Sequence, residues 1–150
     1  MKELIFSFVG SFSAGIIFNV AAKKLIWIGF SGAIGWIVYS LLYSSAGSLI
    51  FSTFAGAIAV GIYSESMARL VKSPSTIFSI PGIFPLVPGI TAYTTVQYMV
   101  ENNLSGAASK AVETAASAGA IAFGIMIIYG LFRLVHKINS RRKKSINYPK

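Results

Sequence analysis

The apolar positions of this chain fall in long unbroken runs, not in the alternating or three-to-four spacing of an element that shows one face to water. Uncharged stretches cover residues 4–22, 25–43, 49–64, 73–100 and 114–132. A helix rises about 1.5 Å per residue, so ~20 residues cross the ~30 Å hydrocarbon core of a bilayer. The first, second and last runs fit that length; the third does once Ser48 and the turn through Arg69 are included. The pattern predicts an all-α integral membrane protein of about five transmembrane helices, multi-pass in the inner or plasma membrane. The first run begins after Lys2 and ends in Val20-Ala21-Ala22, faintly like a signal peptide. It exceeds the roughly 7–15 apolar residues of a leader, and Asn19 breaks the small-residue pattern before a cleavage point, so a retained helix is expected.

Composition agrees with the pattern. Hydrophobic residues make up 55% of the 150, charged residues 11%, and mean hydropathy is +0.70, whereas a soluble domain carries about 25% charged residues. Aspartate and cysteine are absent, which excludes disulfides, thiol nucleophiles and cysteine-bound metals. The lone histidine, His136, has only glutamates to assist it, too few groups for a catalytic triad or a metal site. No enzymatic activity, metal or cofactor is expected.

The net charge of +9 comes from basic residues clustered at the ends of the apolar runs. Lysine and arginine in that position mark the cytoplasmic side. With five crossings, eleven basic residues fall inside, among them Lys23, Lys24, Arg69, Lys72, Arg133 and Lys137, and only Lys2 and Lys110 fall outside. The N-terminus is then outside and the C-terminus cytoplasmic. Residues 1–136 form a single transmembrane helical domain and 137–150 a basic cytoplasmic tail. The tail run Arg141, Arg142, Lys143, Lys144 reads as an anchor beside anionic headgroups, since no aromatic platform for nucleic acid accompanies it.

The run over 73–100 is the most informative. Pro81, Pro85 and Pro88 fall within eight residues, with Gly82 and Gly89 beside two of them. Proline in a helix interior lacks an N–H and costs ~3 kcal/mol, so all three are expected to break the fourth helix. Backbone broken at membrane depth is tolerated only against protein or a water-filled cavity. From about Gly89 to Glu101 a short helix is expected, with its N-terminus inside the bilayer and free N–H groups there to hold an anionic group. On it Thr91, Thr94, Thr95 and Tyr98 form one stripe, with Tyr93 and Gln97 one turn apart on an adjacent face. These residues, with Pro85, Pro88 and Gly89, are the expected substrate path. The bland alternative is that the hydroxyls only bond neighbouring helices.

Glu65 precedes Arg69 by four residues, an order that favours an ion pair. The two are candidates for ion coupling, against the plainer reading of an interfacial pair worth a few tenths of a kcal/mol. Small-residue ladders at spacing four, Ala107/Ala111/Ala115/Gly119 and Ala116/Ala120/Gly124, mark helix-packing faces, as do Gly29/Ala33 and Ser52/Gly56. Lys110 and Glu113 are expected to open the last helix outside the hydrocarbon.

The sequence PGIFPLVPG over 81–89, followed by a tyrosine and polar residues on a helix, resembles the threonine/serine exporter family. More narrowly the chain is similar to the small subunit, equivalent to the C-terminal membrane domain of the fused exporters. The matching positions are Pro81, Pro85, Pro88, Gly89 and Tyr93. The resemblance implies export of small amino acids, or of small dicarboxylates such as succinate, driven by an ion gradient and working with a larger partner subunit. The physical reading agrees that one broken helix is half of a paired arrangement, to be completed by a different subunit or by a homo-oligomer. A non-transporting scaffold or assembly subunit is the alternative from another class; a channel lacks the expected ring of acids or aromatics.

Overall fold

A computed structural model describes residues 2–146, and within them every regular element is helical. In chain order these are α1 (Lys2–Ile17), α2 (Ala22–Ala46), α3 (Leu49–Leu70), α4 (Thr76–Gly82), a single 3₁₀ turn (Phe84–Leu86), α5 (Gly89–Val100) and α6 (Leu104–Ile146). The helices pack in the order α1, α2, α3, α6, α5, while α4 and the 3₁₀ turn fill the space against α1, α2 and α3.

Side chains are distributed for a lipid solvent. Ser11, Ser31, Ser52, Ser64, Ser79 and Ser117 are buried, while Phe6, Ile17, Ile90, Val100 and Phe123 stand exposed. Small residues let backbones meet where lipid offers no hydrophobic drive. One such close approach joins α2 to α3: a Cβ built at Gly56 would stand 3.0 Å from the Gly35 carbonyl oxygen. Gly124 presses on Ala57 of α3, so the Ala116/Ala120/Gly124 ladder is a packing face as expected. Two apolar clusters fill the remainder, one of Leu25, Ile28, Met67 and Phe78, the other of Ala57, Val60, Leu86 and Ile121. Val20 and Val71 both pack on the first, so the α1–α2 turn and the end of α3 lie at the same end of the bundle.

Three helices, α2, α3 and α6, are long and apolar enough to cross a membrane, and the bent pair of α4 and α5 makes a fourth if it counts as one span. α1 has 16 residues, about 24 Å, short of a full crossing on its own. It stops at Ile17 and not at residue 22 because Asn19 adopts a left-handed backbone (φ 55°). The Val20 N–H then reaches back to the Gly15 carbonyl at 3.0 Å and closes the helix end. Lys72 (φ 50°) and Asn102 (φ 58°) close α3 and α5 in the same way.

α6 also differs from the expected 114–132. It starts at Leu104, where the Asn103 side chain accepts from the Gly106 N–H at 3.0 Å and caps the first turn. It then runs 43 residues without interruption, past His136 into the basic tail. Lys110 and Glu113 pair at 2.6 Å on this added length. The side chains of Arg141, Arg142, Lys143 and Lys144 lie outside the described residues.

Candidate functional site

The fourth apolar run is interrupted where proline chemistry demands, with one correction. Pro81 lies inside α4 and does not break it. It removes only one backbone bond from a helix that ends a residue later, and the bonds from Ser79 to Ser75 and from Ile83 to Ser79 bracket the gap. The break falls between Ile83 and Gly89: Pro85 is the second residue of the 3₁₀ turn, Pro88 precedes α5, and the two helical parts meet at 52°.

At the break α5 begins without any side-chain cap. Its first intrahelical bond runs from the Ala92 N–H to the Pro88 carbonyl, and the Gly89 N–H turns back to Val87. The N–H groups of Ile90 and Thr91 therefore have no backbone acceptor among the described residues. They present the positive end of a 12-residue helix.

These donors border a cavity of about 240 Å³. Pro85 to Thr91 form one wall; Trp36 and Tyr39 of α2, Thr53 of α3 and Ser117 of α6 form the others. The Trp36 and Tyr39 rings lie 5.1 Å apart, and Tyr39 stacks on Tyr43 at 5.6 Å, making a continuous aromatic face. Thr53 donates its hydroxyl to the Leu49 carbonyl at 2.8 Å. Ser117 is 1% exposed and its Oγ has no hydrogen-bond partner. A buried hydroxyl without a partner costs about 1–3 kcal/mol; the Ser11 and Tyr63 hydroxyls, away from the cavity, are buried and unpartnered in the same way. Drug-sized ligands occupy about 300–1,000 Å³; this cavity suits a smaller polar solute. A wider apolar groove of about 440 Å³, between α1, Trp36 and Pro85, opens on the other side of the same break.

The structure brings Pro85, Pro88, Gly89 and Thr91 to the cavity. Thr94, Thr95 and Tyr98 share the inner face of α5, but they lie further along it, and the threonine hydroxyls bond carbonyls of their own helix at 2.8–3.0 Å. Tyr93 is 70% exposed, and Gln97 is exposed and donates to Glu101 at 2.9 Å. Neither reaches the cavity. Trp36, Tyr39, Thr53 and Ser117 are additions from three other helices. Thr53 and Ser117 stand out in the sequence only as hydroxyls within apolar runs.

Glu65 and Arg69 are not at the break. They line a separate cleft of about 390 Å³ between α3 and α6, with Phe132, Arg133, His136 and Lys137. The expected Glu65–Arg69 ion pair is absent. The Arg69 guanidinium instead lies over the Phe132 ring, 4.8 Å from its centroid. A cation–π contact of about 0.5–1 kcal/mol outweighs an exposed i,i+4 pair.

A bundle with buried hydroxyls, an apolar exterior and a bent, discontinuous helix pair beside a cavity fits a multi-pass helical membrane protein. Residues 3–130 match the family model of the threonine/serine exporter, ThrE. The chain belongs to the threonine/serine exporter family. No solved structure matches it.

Proposed function

We propose that this chain is the membrane subunit of a secondary exporter of threonine- and serine-like amino acids, and that the cavity at the break is its part of the substrate site. The observation that carries the reading is the meeting of three unlike groups around about 240 Å³. The free N–H groups of Ile90 and Thr91 suit the carboxylate. The faces of Trp36 and Tyr39 suit the ammonium group. The unpartnered Ser117 hydroxyl suits the side-chain hydroxyl of the substrate.

The chain works in the cell membrane with a larger subunit that supplies the opposing half, and an ion gradient drives export. It crosses five times, N-terminus outside. α1 and the turn after it together supply the uncharged run from 4 to 22, and α4 with α5 supply one bent crossing. Support for this orientation comes from the shared end of the α1–α2 turn and α3, which gathers Lys23, Lys24, Arg69 and Lys72 on one side.

Efflux of preloaded labelled threonine tests the function in cells making this chain alone and with the larger subunit. Efflux in the pair and not in either chain alone is expected. Efflux from this chain alone would replace the two-subunit account with a homo-oligomer. No flux in the pair would overturn the transport reading.

A further inference from the structure

α4 and the 3₁₀ turn fill the space between the cavity and the end of the bundle that gathers Lys23, Lys24, Arg69 and Lys72. Their contacts run without a gap from that end to the cavity. Phe78 is fully buried and sits in the cluster of Leu25, Ile28 and Met67. One turn on, Gly82 lies so close to α2 and α3 that a Cβ there would stand 2.9 Å from the Ser31 β-carbon and 3.2 Å from Val60. Leu86 packs on Val60 in turn and lines the cavity. Phe78, Gly82 and Leu86 thus seal the cavity from that end.

Much of what α4 covers is polar. The Ser31 and Ser64 hydroxyls, both fully buried, face each other at 3.5 Å. The Ser79 hydroxyl, also buried, bonds that of Tyr129 on α6. Tyr63, packed on the cluster that holds Phe78, keeps a buried hydroxyl with no partner. Water replaces a bond between neutral hydroxyls at small net cost, so such a seam parts more easily than an apolar one. α4 also has room and hinges. It is seven residues long, with left-handed Lys72 (φ 50°) before it and the break at Pro85 and Pro88 after it. Element ends of this kind absorb the backbone rotation of a hinge motion. On its other side a cleft of about 200 Å³, lined by Phe18, Val20, Ile77 and Ile80, stands beside it.

We propose that α4 is the gate between the substrate cavity and the cytoplasm, that the Ser79–Tyr129 bond is its latch, and that Ser31 and Ser64 line the route it opens. The structure holds this gate closed. Ser79 and Tyr129 are positioning residues here, since they act on the site only through α4. The gate rests on the cavity and orientation proposed above, yet its test reads access and not export.

The test uses the full chain, which has no cysteine of its own, in inside-out membrane vesicles treated with a charged, membrane-impermeant thiol reagent. Three single-cysteine probes are compared. Ser64→Cys lies in the seam, and Gly89→Cys lies in open space at the cavity. Ser52→Cys, equally buried on α3 but outside both, reports general loosening of the bundle. Labelling at 64 and 89 should be slow while the latch is intact. Tyr129→Phe and Ser79→Ala should each raise both rates about two- to tenfold, the worth of one neutral hydrogen bond in the closed form. The two changes together should do no more than either alone, and the rate at 52 should not move. Unaltered rates at 64 and 89 in both latch variants would overturn the gate. So would an equal rise at 52, or a rise at 64 that never reaches 89. Should the seam reject a cysteine at 64, the probe at 89 decides by itself. Absence of threonine efflux leaves these rates untouched, so a failed transport reading and a failed gate are told apart.

Discussion

Replacing Ser117 by alanine should move stability and transport in opposite directions. The hydroxyl is buried in the bundle with no partner, and leaving such a group unsatisfied costs about 1–3 kcal/mol. Alanine removes the unsatisfied oxygen and leaves a void smaller than a methyl group beside an existing cavity. The variant should therefore gain about 1 kcal/mol, which corresponds to an upward shift of ~2–4 °C in Tm for a chain of this size. Transport should respond the other way. One lost neutral hydrogen bond to the substrate is worth about 0.5–1.5 kcal/mol, so the half-saturating threonine concentration should rise roughly two- to tenfold. The discriminating measurement is competition with alanine, a substrate that lacks the hydroxyl. Its efflux should be nearly unaffected, so the preference for threonine over alanine narrows by the same factor. Thermal unfolding in nanodiscs and efflux from preloaded vesicles, each with the larger subunit present, give both readouts. A variant that is less stable than the parent, with unaltered selectivity, would show that Ser117 is only a packing residue and refute the reasoning.

Two further predictions concern the fold that holds the site. Gly56→Leu places side-chain atoms where even a Cβ stands 3.0 Å from the Gly35 carbonyl and 3.2 Å from Leu86; it should cost about 1–3 kcal/mol, read as a lower midpoint of thermal unfolding. Because Leu86 belongs to the 3₁₀ turn, efflux should drop as well. Asn19→Ala keeps a β-carbon in the left-handed region at φ 55° but loses the short polar side chain that makes asparagine tolerant of it, and should lose up to about 1 kcal/mol, while Asn19→Gly should match or exceed the parent in the same unfolding assay.

The sequence makes the helices legible because lipid rewards long apolar runs, and α2 and α3 match their runs within a few residues. The break is legible too, since Pro85 and Pro88 leave the backbone little choice. Pro81 misleads because a proline near the end of a short helix removes a single bond. Helix ends set by closing motifs are harder to see. Asn19, Lys72 and Asn102 all take left-handed backbones; Lys72 and Asn102 lie at charged or polar boundaries of the apolar runs, but Asn19 lies inside the first. The early start of α6 hides behind Lys110 and Glu113, whose charges end the apolar run while their mutual contact lets the helix continue.

The proposed substrate cavity is half legible. Residues 85–91 are local in the chain, and proline and glycine advertise them. The other walls come from Trp36, Tyr39, Thr53 and Ser117 on three helices that meet only after folding. The stripe on α5 is a true inner face, but helix geometry places just its first residue, Thr91, at the cavity; the rest descends along α6. The Glu65–Arg69 expectation misses because the competitor, Phe132, is 63 residues further along the chain than Arg69 and comes alongside only when α3 packs on α6.

The chain has no cysteine, so one introduced thiol is a unique probe. Gly89 begins α5 at the cavity, and a Cβ there would meet nothing within 4 Å, so Gly89→Cys should fold and transport. The most direct test of the cavity as substrate site is the rate at which a small thiol reagent labels this variant, with and without threonine. The account predicts that saturating threonine slows labelling by about tenfold, in proportion to site occupancy, and that the labelled protein no longer exports. Labelling at the same rate in both conditions, with export intact afterwards, would place the substrate elsewhere and contradict it.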